Sequence, residues 1–200
     1  MQSLQFRRKK GNRMANKVKF GFKNCYYATV TESGDTVTYG TPTALKGAVS
    51  MSLSPSGETT EFYADDGIYF SDENNNGYEG TLELALIPDD FAKDCLGIVE
   101  DANGVLTESV IKNNKPFALL CEFTGDDKAT RFAFYRCMAT RPDIASTTKG
   151  ENIEVATETL NLTIRPRADG VVKNKTGATT DTTTYNGWYS AVYEGVAPSA

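Results

Sequence analysis

The stretch PFALLCEFTGDDKATRFAFYRCM (Pro116–Met138) decides the fold. Phe117, Leu119, Cys121 and Phe123 recur at every second position, and Phe132, Phe134 and Met138 share a phase after the turn TGDDKAT. A spacing of two puts side chains on one face of an extended strand, and two such runs around a short polar turn make an antiparallel hairpin. The same period returns on either side of this stretch. Leu82, Leu84 and Leu86 share one face of TLELALI. Val49, Met51 and Leu53 alternate with serines in GAVSMSLSP, and Leu160, Leu162 and Ile164 alternate with Asn161, Thr163 and Arg165. The 24 threonines suit a pleated, half-exposed surface. The expected fold is mainly β, built of antiparallel strands.

One short flanking α-helix interrupts the alternation. IPDDFAKDCLG starts with Pro88 and two acids, which favour a first helical turn, and stops at Gly97. Phe91, Cys95 and Leu96 give it an apolar side to lay on the sheet. Asn103-Gly104 supplies a tight turn. From Arg141 to Thr159 the chain is Ser/Thr-rich and irregular. Residues 173–187 (KNKTGATTDTTTYNG) form a polar, low-complexity connector to Trp188, Tyr189 and Tyr193, whose rings are expected to anchor the C-terminal segment.

Composition narrows the chemistry. At 200 residues, with 40% hydrophobic and 24% charged residues, the chain suits one soluble domain with a real core. No apolar run approaches the ~20 residues that span a bilayer. The four cysteines are widely spaced with no CxxC pair, so buried thiols and folding in a cytoplasm are expected. There is no histidine, which removes Ser-His, Cys-His and His-metal arrangements. The acid pairs Asp65-Asp66, Asp89-Asp90 and Asp126-Asp127 read as solvated turn residues. No catalytic residue, metal ligand or nucleic-acid-binding residue is assigned, no cofactor is expected, and the chain does not read as an enzyme. DENNNGYEGTLE (Asp72–Glu83) matches the spacing of a calcium loop of the EF-hand type, but its flanks read as strands and its eighth position is Glu79, so a polar excursion between strands is expected instead.

With these segments laid out, their order resembles a known family. KVKFGFKNCYYATVT, GAVSMSLSP, EFYADD, GYEGTLELALIPD, KPFALLCEFTGDDKATRFAFYRC and TLNLTIRPRADGVVK, in sequence, are similar to the major tail proteins of long-tailed, non-contractile bacteriophages and of prophages of Gram-positive bacteria. The similarity runs from about Lys17 to Tyr193. It implies an antiparallel β-sandwich or barrel with one short flanking α-helix, a tail-tube type of β domain over residues 14–200, and a structural virion protein. It further implies hexameric rings stacked into the tube that passes viral DNA into the host. The implied partners are other copies of the chain, a tape-measure protein inside the tube and proteins capping its ends. The implied location is the virion tail, assembled in the bacterial cytoplasm. DNA passes without specific binding, and no membrane is involved.

Three features of the residues fit that role. Unpaired sheet edges must be hidden or used, and edges joining like to like would close a ring. The inter-strand loop at about 56–80 carries Phe62, Tyr63, Ile68, Tyr69 and Phe70 among polar residues, which marks them as candidates for contact between rings. Charge is the third. The net charge is −5, but Arg7, Arg8, Lys9, Lys10 and Arg13 precede Met14 with no acid, so the remainder holds 16 basic against 26 acidic residues and stands at −10. An acidic lumen would repel the phosphate backbone rather than hold it. Residues 1–13 read either as a basic arm or as a translated ribosome-binding region ahead of a start at Met14. In both cases they are expected to be disordered in the free subunit. The alternative reading of the whole chain is a β-sandwich adhesion or decoration module on a virion or cell surface. It would bind carbohydrate or protein, with Trp188 and Tyr189 as its aromatic contacts.

Overall fold

The computed structural model describes residues 16–34, 36–146, 148 and 155–195. The extension read at residues 1–13 lies outside them. Among the described residues the elements run β1 (Lys19–Ser33), β2 (Thr36–Tyr39), β3 (Thr43–Ala44), β4 (Ala48–Pro55), β5 (Thr59–Ala64), β6 (Gly67–Glu73) and β7 (Tyr78–Leu84). Then come α1 (Asp89–Cys95), β8 (Val99–Glu100), β9 (Leu106–Thr107), β10 (Phe117–Gly125), β11 (Thr130–Ala139), β12 (Glu158–Ile164), β13 (Lys173–Lys175) and α2 (Thr182–Asn186). The protein is mainly β, an antiparallel sandwich with a short flanking helix. The main sheet has the order β2-β1-β10-β11-β12-β7-β4, with β3 on β1 and β13 on β11. Its last strand, β4, returns to contact β1 without a ladder between them.

The sheet curls around a first core. Leu82, Leu84, Leu160 and Leu162 face Phe117, Leu119 and Cys121 across it, all essentially without solvent contact. Helix α1 closes the side. Phe91 meets Tyr27 and Phe117 edge-on at 5.0 and 5.1 Å between centroids, and the Tyr27 hydroxyl donates to Asp94 Oδ2 at 2.9 Å. All four cysteines are buried as free thiols in or beside this core, and burial pushes Cys25 and Cys95 each up to about 12. Such thiols are packing residues rather than nucleophiles.

A second core lies on the opposite face of β1, β10 and β11. Ala118, Leu120, Ala133 and Tyr135 are covered there by Trp188 and Val192. The small side chains of Ala118 and Ala133 leave room for the indole, whose Nε1–H donates to Phe132 O at 3.3 Å. Tyr189 stacks on Tyr26 at 4.6 Å. The expected anchoring by these rings is therefore what holds the C-terminal segment. β10 is consequently buried on both faces from Phe117 to Glu122. Glu122, only 3% exposed, accepts from Arg131 Nε at 2.9 Å, Asn24 Nδ2 at 2.8 Å and the Tyr189 hydroxyl at 3.2 Å. The Arg131 guanidinium also lies over the Tyr185 ring and donates to Tyr185 O.

Some expected side-chain phases are corrected. Met138 does not join Phe132 and Phe134. The β10–β11 register shifts between Phe117↔Cys137 and Leu119↔Phe134, which adds a residue to β11 and puts Cys137 in the core instead. Val49 sits at a similar shift between Ala48 and Ser50 and is exposed, while Met51 and Leu53 pack on the core's margin. Leu86 is 68% exposed because β7 ends at Leu84, and Ile87 turns inward in its place. The connector at 173–187 is not featureless. It contains β13 and the helix α2, whose N-cap Asp181 accepts from the Thr183 and Thr184 amides. The turn at Asn103-Gly104 joins β8 to β9, with Gly104 at φ 79°.

Candidate assembly interface

The excursion expected at 56–80 is an ordered arm rather than a loop. β5 and β6 pair antiparallel from Thr59↔Glu73 to Ala64↔Gly67 and form a sheet of their own. The aromatic and β-branched content of EFYA and GIYF makes them strand formers. β7 already begins at Tyr78, so the arm closes at residue 77. Its tip is Asp65-Asp66, with φ of 50° and 61°. Two consecutive left-handed residues match the tight hairpin turn whose twist suits antiparallel strands, and Asp tolerates that conformation better than most residues. One of the acid pairs is thereby a turn, as its sequence suggests.

The base of the arm is held by backbone. Ser56 N–H donates to Gly77 O at 2.9 Å, Asn76 N–H to Ser56 O at 2.8 Å and Asn74 N–H to Glu58 O at 3.0 Å. Gly77, at φ 102°, passes so close to β12 that a Cβ there would lie 1.9 Å from Ile164 O. Only glycine fits. With six or seven residues per strand the arm reaches roughly 20 Å beyond this base.

Among the described residues no layer packs on either face of the arm. Every residue of β6 and all but Ala64 of β5 are exposed. Phe62, Tyr63, Ile68, Tyr69 and Phe70 are each between 56% and 75% exposed. The structure thus brings together all five residues singled out from the sequence, in one ribbon, with Phe62 opposite Phe70 and Tyr63 opposite Ile68. Leaving so much large apolar surface wet is costly for a free chain, and such patches mark contact sites. The arm is also acidic. Glu58, Glu61, Asp65, Asp66, Asp72 and Glu73 stand in it without one Lys or Arg.

The calcium-loop match dissolves in this geometry. Asp72 lies inside β6, one residue before its end, whereas Glu83 lies near the far end of β7, where its carboxylate accepts from Ser50 and Thr157 hydroxyls at 2.7 Å each. Those two hydrogen bonds hold Glu83 below the usual carboxylate range. The remaining acid pairs serve local structure. Asp89 and Asp90 open α1, with Lys93 at 3.1 Å from Asp90. Asp126 Oδ1 accepts the Lys17 N–H at 2.9 Å, and Asp127 N–H donates to Asn16 Oδ1. Among the described residues no three His, Cys, Asp or Glu side chains gather as metal ligands would.

Other exposed surface went unmarked in the sequence reading. Val110, Ile111 and Ile144 are almost fully exposed in the connections around β9 and after β11. Val18 and Phe20, at the start of β1, are each 56% exposed. The alternation of Lys with apolar residues in KVKFGFK is the signal that marks the latter pair as a half-exposed edge. Strand β4 carries no charged residue; it pairs with β7 on one side and approaches β1 of the same chain without a ladder among the described residues.

No family model matches the chain, and no curated protein matches it.

Proposed function

We propose that the protein is a structural subunit that works by self-assembly, as its resemblance to phage major tail proteins implies. Copies associate into rings, hexameric in the family, and the rings stack into a tube through which viral DNA passes. One observation carries this reading: an ordered β-arm, residues 59–73, holding five large apolar side chains bare on both faces. Burying a Phe or Ile side chain fully is worth roughly 1.5–3 kcal/mol. An interface covering the arm therefore has a strong driving force even after the cost of association. The net charge of −10 beyond residue 13 suits a duct whose wall repels the phosphate backbone. On this reading the protein is no enzyme and needs no cofactor. Its other partners are a tape-measure protein and the proteins that cap the tube, and it resides in the virion tail.

The adhesion-module reading loses its aromatic platform. Trp188 is 2% exposed and Tyr189 packs against the second core, so neither ring is free to stack on a sugar. Electron microscopy of the concentrated, purified protein tests the assembly reading. Rings or striated tubes are expected. A protein that stays monomeric at every concentration, and binds on a glycan array, would overturn it.

A further inference from the structure

The arm's charge has a counterpart on the same chain. From Asn16 to Thr31, and again from Tyr39 to Gly57, every charged residue is a lysine: Lys17, Lys19, Lys23 and Lys46. The fold brings the two segments together. β3 pairs with Tyr26 and Tyr27, and a groove of about 360 Å³ separates Phe22–Tyr26 from Ala44–Ala48, with Lys23 on one wall and Lys46 on the other. Val18 and Phe20 stand exposed between and beside the first two lysines. From Lys19 to Lys23, β1 pairs with β10 on one side and has no strand partner on the other among the described residues.

Two carboxylates beside this edge are already engaged, and the backbone of a third acid, Asp127, is tied to Asn16. Glu122 is buried against Arg131 and lies 3.7 Å from Lys23, and Asp126 accepts the Lys17 backbone N–H. Lys17, Lys19 and Lys46 have no carboxylate within 4.0 Å among the described residues. Lys19 instead lies over the Phe123 ring at 5.3 Å. Gly21 and Asn24, both left-handed at φ 61° and 51°, mark irregularities in the β1–β10 register. They interrupt the regular row of backbone groups, so a partner here is held by side chains rather than by an added strand.

We propose that this basic edge receives the acidic arm of a second copy. The arm offers six carboxylates and exposed rings, and the edge offers Lys17, Lys19 and Lys46 with Val18 and Phe20. Each surface thus supplies what the other lacks in charge and matches it in apolar character. Within one chain β5 and β6 pair only with each other, so the edge is not occupied by its own arm. Because arm and edge are different surfaces, the contact is head-to-tail, and each copy keeps one of each for the next. The inference rests on the self-assembly reading and assigns the surface that its arm meets.

Charge reversal tests it. One variant carries Glu58→Lys, Glu61→Lys and Glu73→Lys. A second carries Lys17→Glu, Lys19→Glu and Lys46→Glu, which spares Lys23 and its buried partner. Sedimentation velocity reads association, and circular dichroism verifies the fold of each variant. Each triple variant should associate at least roughly tenfold more weakly than the parent, and the sextuple variant should recover most of the loss. Parent association should also fall as ionic strength rises from about 0.05 M to about 0.5 M. A folded edge variant that assembles like the parent overturns this inference and leaves the assembly reading standing. A parent protein that never associates overturns both.

Discussion

Two hairpins in this molecule share a residue character and stand in opposite circumstances. β10–β11 and β5–β6 are both short antiparallel ribbons rich in aromatic residues around an acidic turn. The first is buried on both faces of β10, under the curl of the sheet on one side and under Trp188 and Val192 on the other. The second has no cover on either face among the described residues. The difference teaches that strand formation and strand burial are separate properties. Local residue types set the first, whereas elements distant in sequence set the second. An isolated two-stranded ribbon is marginal in water, so the arm holds its shape by its backbone-tied base and its turn.

The sharpest way to break the comparison is to treat the two hairpins identically. Phe117→Ala in β10 should cost about 3–5 kcal/mol, a large share of the stability of a domain this size, as read by urea unfolding. Next, Glu122→Ala should cost ~3 kcal/mol, because it leaves the largely covered Arg131 guanidinium without its carboxylate and frees Tyr189 from its acceptor. In the arm, the double change Phe62→Ser with Phe70→Ser should move unfolding stability by only about 0.5 kcal/mol while suppressing self-association in sedimentation. Were that variant to unfold as easily as Phe117→Ala, the arm would be part of the subunit's core and the contrast would fail.

The smallest effect is the most local. Asp65→Asn with Asp66→Gly installs the sequence best suited to two left-handed turn residues. Hydrogen exchange should then slow several-fold at the amides of β5 and β6, with β10 unchanged. In the assembled protein the same amides should become protected without any substitution. Equal exchange in free and assembled states would remove the arm from the interface.

Much of this was legible from residues alone. Alternation located β7, β10, β11 and β12, and the Pro88–Gly97 punctuation located α1, because these signals are local. Phase was lost wherever a register shift intervened, as at Met138 and Val49, since a bulge depends on the partner strand. The five arm residues were legible as too apolar for a free loop. Their arrangement as a bare ribbon was less so, because Asp-Asp is an uncommon tip for such a turn. The basic edge escaped notice altogether. Lys46 joins Lys17, Lys19 and Lys23 only through the pairing of β3 with β1, which no short window reveals.

The cover supplied by Trp188 and Val192 has a consequence for biogenesis. The sheet face that these residues seal leaves the ribosome well before they do. For that interval Leu120 and Tyr135 have no lid, and the nascent polypeptide presents a greasy plane to its surroundings. Folding therefore waits on the Trp188–Val192 segment, and conditions that slow or stop synthesis before that point should fill inclusion bodies rather than yield a truncated but soluble product.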